Sequence, residues 1–207
     1  MGIRQRQTRT EQNEDNRRRL LDAATRVFVA HGYHGATLDR VAEKAGFTKG
    51  VVYSRFASKA DLFLELYEAH VARRVAEVAA LPPAPTSATI EAIGEQWLVR
   101  MRLDPAWSLL LIEFRVEAAR HRALAARYAE LHDRLVAAFA AILARDAAAA
   151  GVELTTSADE VARLGIAIGT GFLLERTAAP AALGDAALRR INQALLAAST
   201  RPRRRRS

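Results

Sequence analysis

Apolar residues recur at helical spacing along most of the chain. From Asn13 to Ala30, Leu20, Ala24, Val27 and Phe28 mark one buried helix face, and Gly32 and Gly35 flank the break that follows. Thr37 is a suitable N-cap for a short helix that turns Leu38, Val41, Ala42 and Ala45 inward. Gly46 can adopt the left-handed conformation that ends it. Thr48 opens a second short helix, to about Arg55. Ser58 opens a long one from Lys59 to about Ala80, with Leu62, Phe63, Leu66, Val71, Val75 and Val78 as its apolar positions. The segment Leu81-Pro82-Pro83-Ala84-Pro85-Thr86 stops it. Thr86 or Ser87 then begins a helix carrying Ile90, Ile93, Trp97, Leu98 and Met101. Asp104-Pro105 begins another, with aspartate as N-cap and proline at the first helical position. A long helix is predicted from about Arg122 to Ala150, closed by Gly151. One from Thr156 or Ser157 to about Ala178 and one from Asp185 to near Ser199 follow. No alternating β-branched run bounded by turn residues stands out, so the predicted fold class is all-α.

The pattern divides the 207 residues into a polar N-terminal arm (1–13), a three-helix domain (14–60), a larger helical domain (61–200) and a basic tail (201–207). Arm and tail lack an apolar face and are predicted to be disordered. The composition is 50% hydrophobic, enough for a core, and rich in alanine, which suits closely packed helices. There is no cysteine, which excludes disulfides, thiolate metal sites and a cysteine nucleophile. The N-terminus lacks the apolar stretch of a signal peptide, and no run of 18 apolar residues suggests a membrane span; a cytoplasmic location is expected.

Charge is unevenly placed. The formal net charge is +8, yet residues 1–60 hold twelve basic against six acidic side chains and Arg201 onward adds five arginines, so the stretch between is slightly acidic. The polyanion-attracting charge therefore accompanies the three-helix domain and the termini. All three lysines, Lys44, Lys49 and Lys59, lie in or beside the two short helices.

Those short helices, TLDRVAEKAGFTKGVVYSRF from Thr37 to Phe56, have the spacing of a helix-turn-helix. Ala42 permits close approach, Gly46 makes the turn, and Val52 fills the gap between the helices. The second helix of such a pair enters the DNA major groove. Together with the amphipathic helix before it and ASKADLFLEL after it, the region 17–67 resembles the TetR family of transcriptional regulators. The resemblance implies double-stranded DNA contacts at Thr37, Thr48, Lys49, Gly50, Val51, Tyr53, Ser54, Arg55 and Lys59. Thr37, Tyr53 and Lys59 would meet phosphates, with the Tyr53 ring also packing on the first helix. Thr48, Lys49 and Gly50 would reach base edges. Arg55 departs from the histidine or asparagine frequent there and could bind phosphate or read a guanine. Val51 replaces a smaller residue and could meet a thymine methyl. Val52 and Phe56 are core.

The resemblance further implies a homodimer through the last two helices, reading a palindromic operator. Gly165, Gly169 and Phe172 on one helix and Leu188, Ile191 and Leu195 on the other are the candidate interface; the small residues four apart permit close packing. It also implies a pocket for an unidentified small-molecule effector, whose binding would shift the helix over 59–80. Trp97, Met101, Trp107, Leu111, Phe114, Tyr128, His132, Phe139 and Phe172 are candidates to line it, which favours a hydrophobic or amphipathic effector. Glu113, in a largely apolar helix, would seek a cationic partner if buried.

The expected function is a DNA-binding transcriptional regulator, in the main a repressor. A sequence-blind nucleoid-type binder is the alternative; it would bind all duplexes alike with a steep salt dependence. An enzyme is the remoter one. No glycine-rich phosphate loop, HExxH or nucleophile elbow is present, and His31 and His34 lack partners for a metal site. No catalytic residue, cofactor or metal is therefore expected.

Overall fold

The computed structural model describes residues 9–80, 82 and 104–202. Among them the helices are α1 (Arg9–Gly35), α2 (Leu38–Ala45), α3 (Lys49–Arg55), α4 (Lys59–Ala79), α5 (Pro105–Ala119), α6 (Arg122–Ala149), α7 (Ala158–Ala178) and α8 (Asp185–Ala198). Two short strands, β1 (Val152–Leu154) and β2 (Thr200–Pro202), pair antiparallel. The helix expected over 86–101, with Trp97 and Met101, lies outside the described residues.

Three of the start signals read in the sequence operate through side-chain capping bonds. Ser58 Oγ accepts the Asp61 N–H at 3.1 Å, Asp104 Oδ1 accepts those of Ala106 and Trp107 at 3.0 and 3.4 Å, and Ser157 Oγ accepts that of Glu160 at 3.2 Å. Each satisfies a backbone donor that the first turn of a helix leaves without an intrahelical partner.

Two expectations need correction. The first helix begins at Arg9, not Asn13, so residues 9–13 are helical and not part of a disordered arm. RTEQN holds neither glycine nor proline, and Glu11 complements the positive helix end. Arg17 to Arg19 thus sit about two turns inside α1, clear of that end. At the other terminus, Arg201 and Pro202 belong to β2, not to a disordered tail. Arg201 Nε and Nη2 donate to the Glu153 carboxylate at 3.1 and 3.0 Å, and Val152 faces Pro202 across the ladder. Three-residue strands are too short for alternation to reveal them.

The chain forms two compact units. Of the described residues, one contains 9–69 and Leu110–Tyr128; the other contains 70–80, 82, 104–109 and 129–202.

In the first unit, the apolar faces of α1 to α4 close on Leu20, Ala24, Val27, Phe28, Val41, Val52 and Leu62, all buried. An aromatic stack extends this core. Phe63 lies 4.1 Å from Phe114 centroid to centroid, Tyr33 is edge-on to both at 5.5 and 5.1 Å, and Tyr67 stacks on Tyr128 at 5.2 Å. Each fully buried side chain of this size contributes roughly 1.5–3 kcal/mol.

α1 is broken at Gly32, where φ is 67° and ψ 173°. Glu113 Oε2 accepts the Tyr33 N–H there at 2.7 Å, and a Cβ on Gly32 would stand 2.7 Å from that same oxygen. In place of the cationic partner considered for it, Glu113 takes a neutral backbone amide.

In the second unit, Val78, Val136, Phe139, Leu143, Val161, Ala162 and Leu196 form the core, with Leu135, Leu154, Ile166 and Leu195 packed around them. His70 stacks on Trp107 at 4.3 Å. Burial, reinforced by Arg73 and Arg74, pushes the His70 pKa down to about 4.

Candidate nucleic-acid interface

The turn between α2 and α3 is built by Gly46. Its φ of 71° is left-handed, its N–H returns to the end of α2, and the Phe47 N–H follows to Ala42 O at 2.9 Å. Arg19 supports the turn from α1: its guanidinium lies 5.1 Å over the Phe47 ring and donates to Ala45 O at 3.3 Å. Arg19 thus serves the C-terminal end of α2, where a cation is favoured.

With the turn fixed, α3 has one position to bury. Val52 is fully buried and Phe56, just beyond the helix, nearly so. Thr48, Lys49, Gly50, Val51, Tyr53, Ser54 and Arg55 are exposed, with Val51 and Tyr53 at 50% and 54%. An exposed valine and tyrosine beside a lysine and an arginine can offer apolar contact, hydroxyl and cation to one ligand. Thr48 caps α3 by position, but its side chain makes no capping bond. Thr37 does cap α2, accepting the Arg40 N–H at 3.2 Å. Tyr53 leaves about half of its surface, 54%, open to solvent.

Carboxylates occupy the basic side chains of this face. Lys49 Nζ donates to Asp39 Oδ2 at 2.5 Å, joining the first turns of α3 and α2. This hydrogen bond lowers the Asp39 pKa and raises that of Lys49. The Asp39 carboxylate also raises the pKa of the Tyr53 phenol. Arg55 Nη2 donates to Glu65 Oε1 on α4 at 3.2 Å, and Arg17 Nε on α1 reaches the same oxygen at 2.6 Å. Lys59 is half-buried. Its Nζ donates to His34 O at 3.1 Å and stands 4.6 Å from the Tyr33 ring centroid, and burial lowers its pKa against the opposing pull of Glu117. Sequence reasoning missed Asp39, Glu65 and Arg19. Their partners are 10 or more residues away on other helices, beyond the reach of helical periodicity.

The remaining candidates are dispersed. Phe114 and Tyr128 belong to the aromatic core of the first unit; Phe139 and Trp107 are buried in the second. Leu111, His132 and Phe172 are half-buried. Of the dimer candidates, Gly165 is buried, Gly169, Leu188 and Leu195 are half-buried, and Ile191 is 48% exposed. Among the described residues no group of His, Asp and Glu is arranged to hold a metal, and no helix is long and apolar enough to cross a membrane.

The sequence profile of bacterial regulatory proteins of the tetR family matches residues 20–66. This segment is similar to the DNA-binding part of the TetR family. The matched stretch runs from Leu20 to Leu66, so it contains the whole exposed face of α3 and none of α5 to α8. Over 65 residues this chain is 43% identical to the HTH-type transcriptional activator FasR of Mycolicibacterium smegmatis, covering 31% of this chain and 30% of that protein. Over 64 residues it is 42% identical to the HTH-type transcriptional repressor AcnR of Corynebacterium diphtheriae, covering 31% and 33%. The chain thus spans about a third of the length of these relatives. The fold likeness extends further. The crystal structure of a TetR-family regulator from Mesorhizobium loti superposes with a TM-score of 0.67 at 21% identity, over 93% of this chain and 96% of that one.

Proposed function

We propose that this chain is a sequence-specific DNA-binding transcriptional regulator. The observation that carries the reading is the division of α3, with Val52 buried and Lys49, Val51, Tyr53 and Arg55 presented to solvent. A helix of seven residues held by one buried valine is placed by its neighbours and has the rest of its surface free for a groove. The positive balance of residues 1–60 supplies the long-range attraction to phosphates.

One such helix makes few contacts, so the reading includes a homodimer on a palindromic operator, with recognition helices about 34–36 Å apart or a near variant. Leu164 and Leu174 on α7 and Ile191 on α8 are large apolar side chains left 41–48% exposed, and they support a paired surface on these two helices. The regulator is read as a repressor released by a small hydrophobic or amphipathic effector; the relatives named above include one activator and one repressor.

Selection of bound fragments from the source genome tests this. The expected result is enrichment of a two-fold symmetric motif. Uniform recovery of all fragments would instead support the sequence-blind binder.

A further inference from the structure

Asp39 places a negative charge among the groups that would meet a polyanion, which simple attraction to DNA does not call for. We propose that Asp39 sets the specificity of the α3 face, holding Lys49 for base edges and opposing its capture by phosphates. This rests on the reading that α3 enters a DNA groove.

Lys49 carries its ammonium on a flexible four-carbon stem, able on its own to reach any nearby phosphate. The 2.5 Å bond to Asp39 Oδ2 fixes where the ammonium sits. The pair remains accessible, with Lys49 69% and Asp39 42% exposed, while Asp39 Oδ1 is shut off from solvent. An ammonium has three donors, so Lys49 can keep Asp39 and still give a hydrogen bond to a base acceptor in front of it. A phosphate on the same ammonium would bring a second full anion up against the carboxylate. Lys49 would then have to leave Asp39, and the unpaired carboxylate would face the DNA backbone. The cost falls on phosphate capture at any sequence, and a correctly placed base acceptor escapes it. Asp39 is thus a positioning residue that acts through Lys49.

The test uses the full-length chain and two duplexes: the one most enriched by wild-type protein from a random pool, and a scramble of the same composition. Affinities are measured across a salt series, with thermal melts to confirm folding. In Asp39→Asn the preference for the enriched duplex is expected to fall about tenfold, the worth of roughly one base contact. Binding to the scramble is expected to strengthen, with a salt slope steeper by about one unit. Asp39→Ala, at a partly exposed position that is not the α2 cap, is a second variant with the same expected direction. In a Lys49→Gln background, Asp39→Asn is expected to change the preference by less than about twofold, because the cation it acts through is gone. An unchanged preference overturns the proposal. So does a uniform rise in both affinities, which charge removal alone would give, or an equal loss of preference in the Lys49→Gln background. If wild type shows no preference, the sequence-specific reading fails and the proposal fails with it; a preference that survives Asp39→Asn removes the proposal alone.

Discussion

At Gly32 the backbone takes a left-handed φ of 67°, and Glu113 Oε2 occupies the space that a side chain would need. Gly32→Ala therefore meets both strain and a blocked site, and is expected to lower unfolding stability by roughly 1–3 kcal/mol. Glu113→Ala leaves the Tyr33 N–H without its acceptor, again about 1–3 kcal/mol, whereas Glu113→Gln keeps an oxygen there and should lose less. Urea titrations of the three variants check this; wild-type midpoints for Gly32→Ala and Glu113→Ala would show that the joint is not held as described. On the α3 face the outcomes differ by role. Tyr53→Phe should weaken binding to every duplex alike, because a hydroxyl meant for a phosphate carries no sequence information. Lys49→Ala should also relax base preference. Equal operator affinity in Lys49→Ala and wild type would remove Lys49 from the reading set. Lys59→Ala should weaken all duplexes as well, and because its ammonium holds His34 O and covers the Tyr33 ring, it should also lower the melting temperature.

Helices declare themselves through local signals, and α2, α3, α4 and α5 to α8 begin within a residue or so of the positions that Thr37, Thr48, Ser58, Asp104, Ser157 and their neighbours mark. The Val52 and Phe56 core positions were legible for the same reason: burial in a short helix follows from spacing. Illegible features depend on partners distant in sequence. Arg19 on Ala45 O, Glu65 between Arg17 and Arg55, and Arg201 on Glu153 each join residues 10 or more apart, and no periodicity encodes them. The early start of α1 was hidden because RTEQN carries no apolar face to betray a helix that propensity alone extends. One consequence at this scale is a pH dependence. His70 near the middle of α4 is held neutral against Trp107, with Arg73, Arg74, Glu77 and Asp104 as its charged neighbours and a pKa of about 4 against 6.5 when free. The unfolded chain binds a proton there first. Stability is therefore fully present above about pH 6.5, falls as pH drops through 6.5 toward 4, and levels off below, by at most roughly 3 kcal/mol from this group. In His70→Gln the part of the pH slope between 6.5 and 4 due to this residue should vanish; an unaltered slope would place the titration elsewhere.

On the scale of the molecule, the sequence match ends at Leu66, so the proposed pairing and effector binding would depend on parts of the chain that share only a fold with the solved structures. Ile191, 48% exposed on α8, is the side chain most directly placed to test pairing. Ile191→Glu would set like charges face to face across a two-fold interface and should shift the chain toward monomer in sedimentation experiments, with fold and melting little changed. A variant that sediments as wild type would move the interface away from this face. If pairing is lost as expected, operator binding should fall with it, since one recognition helix alone makes few contacts. The most direct measurement is a competition titration of the full-length wild-type chain between its most enriched duplex and a scramble of equal length at physiological salt. A preference of about a thousandfold or more, with two chains bound per duplex, is the predicted result. Equal affinity for the two duplexes would contradict it.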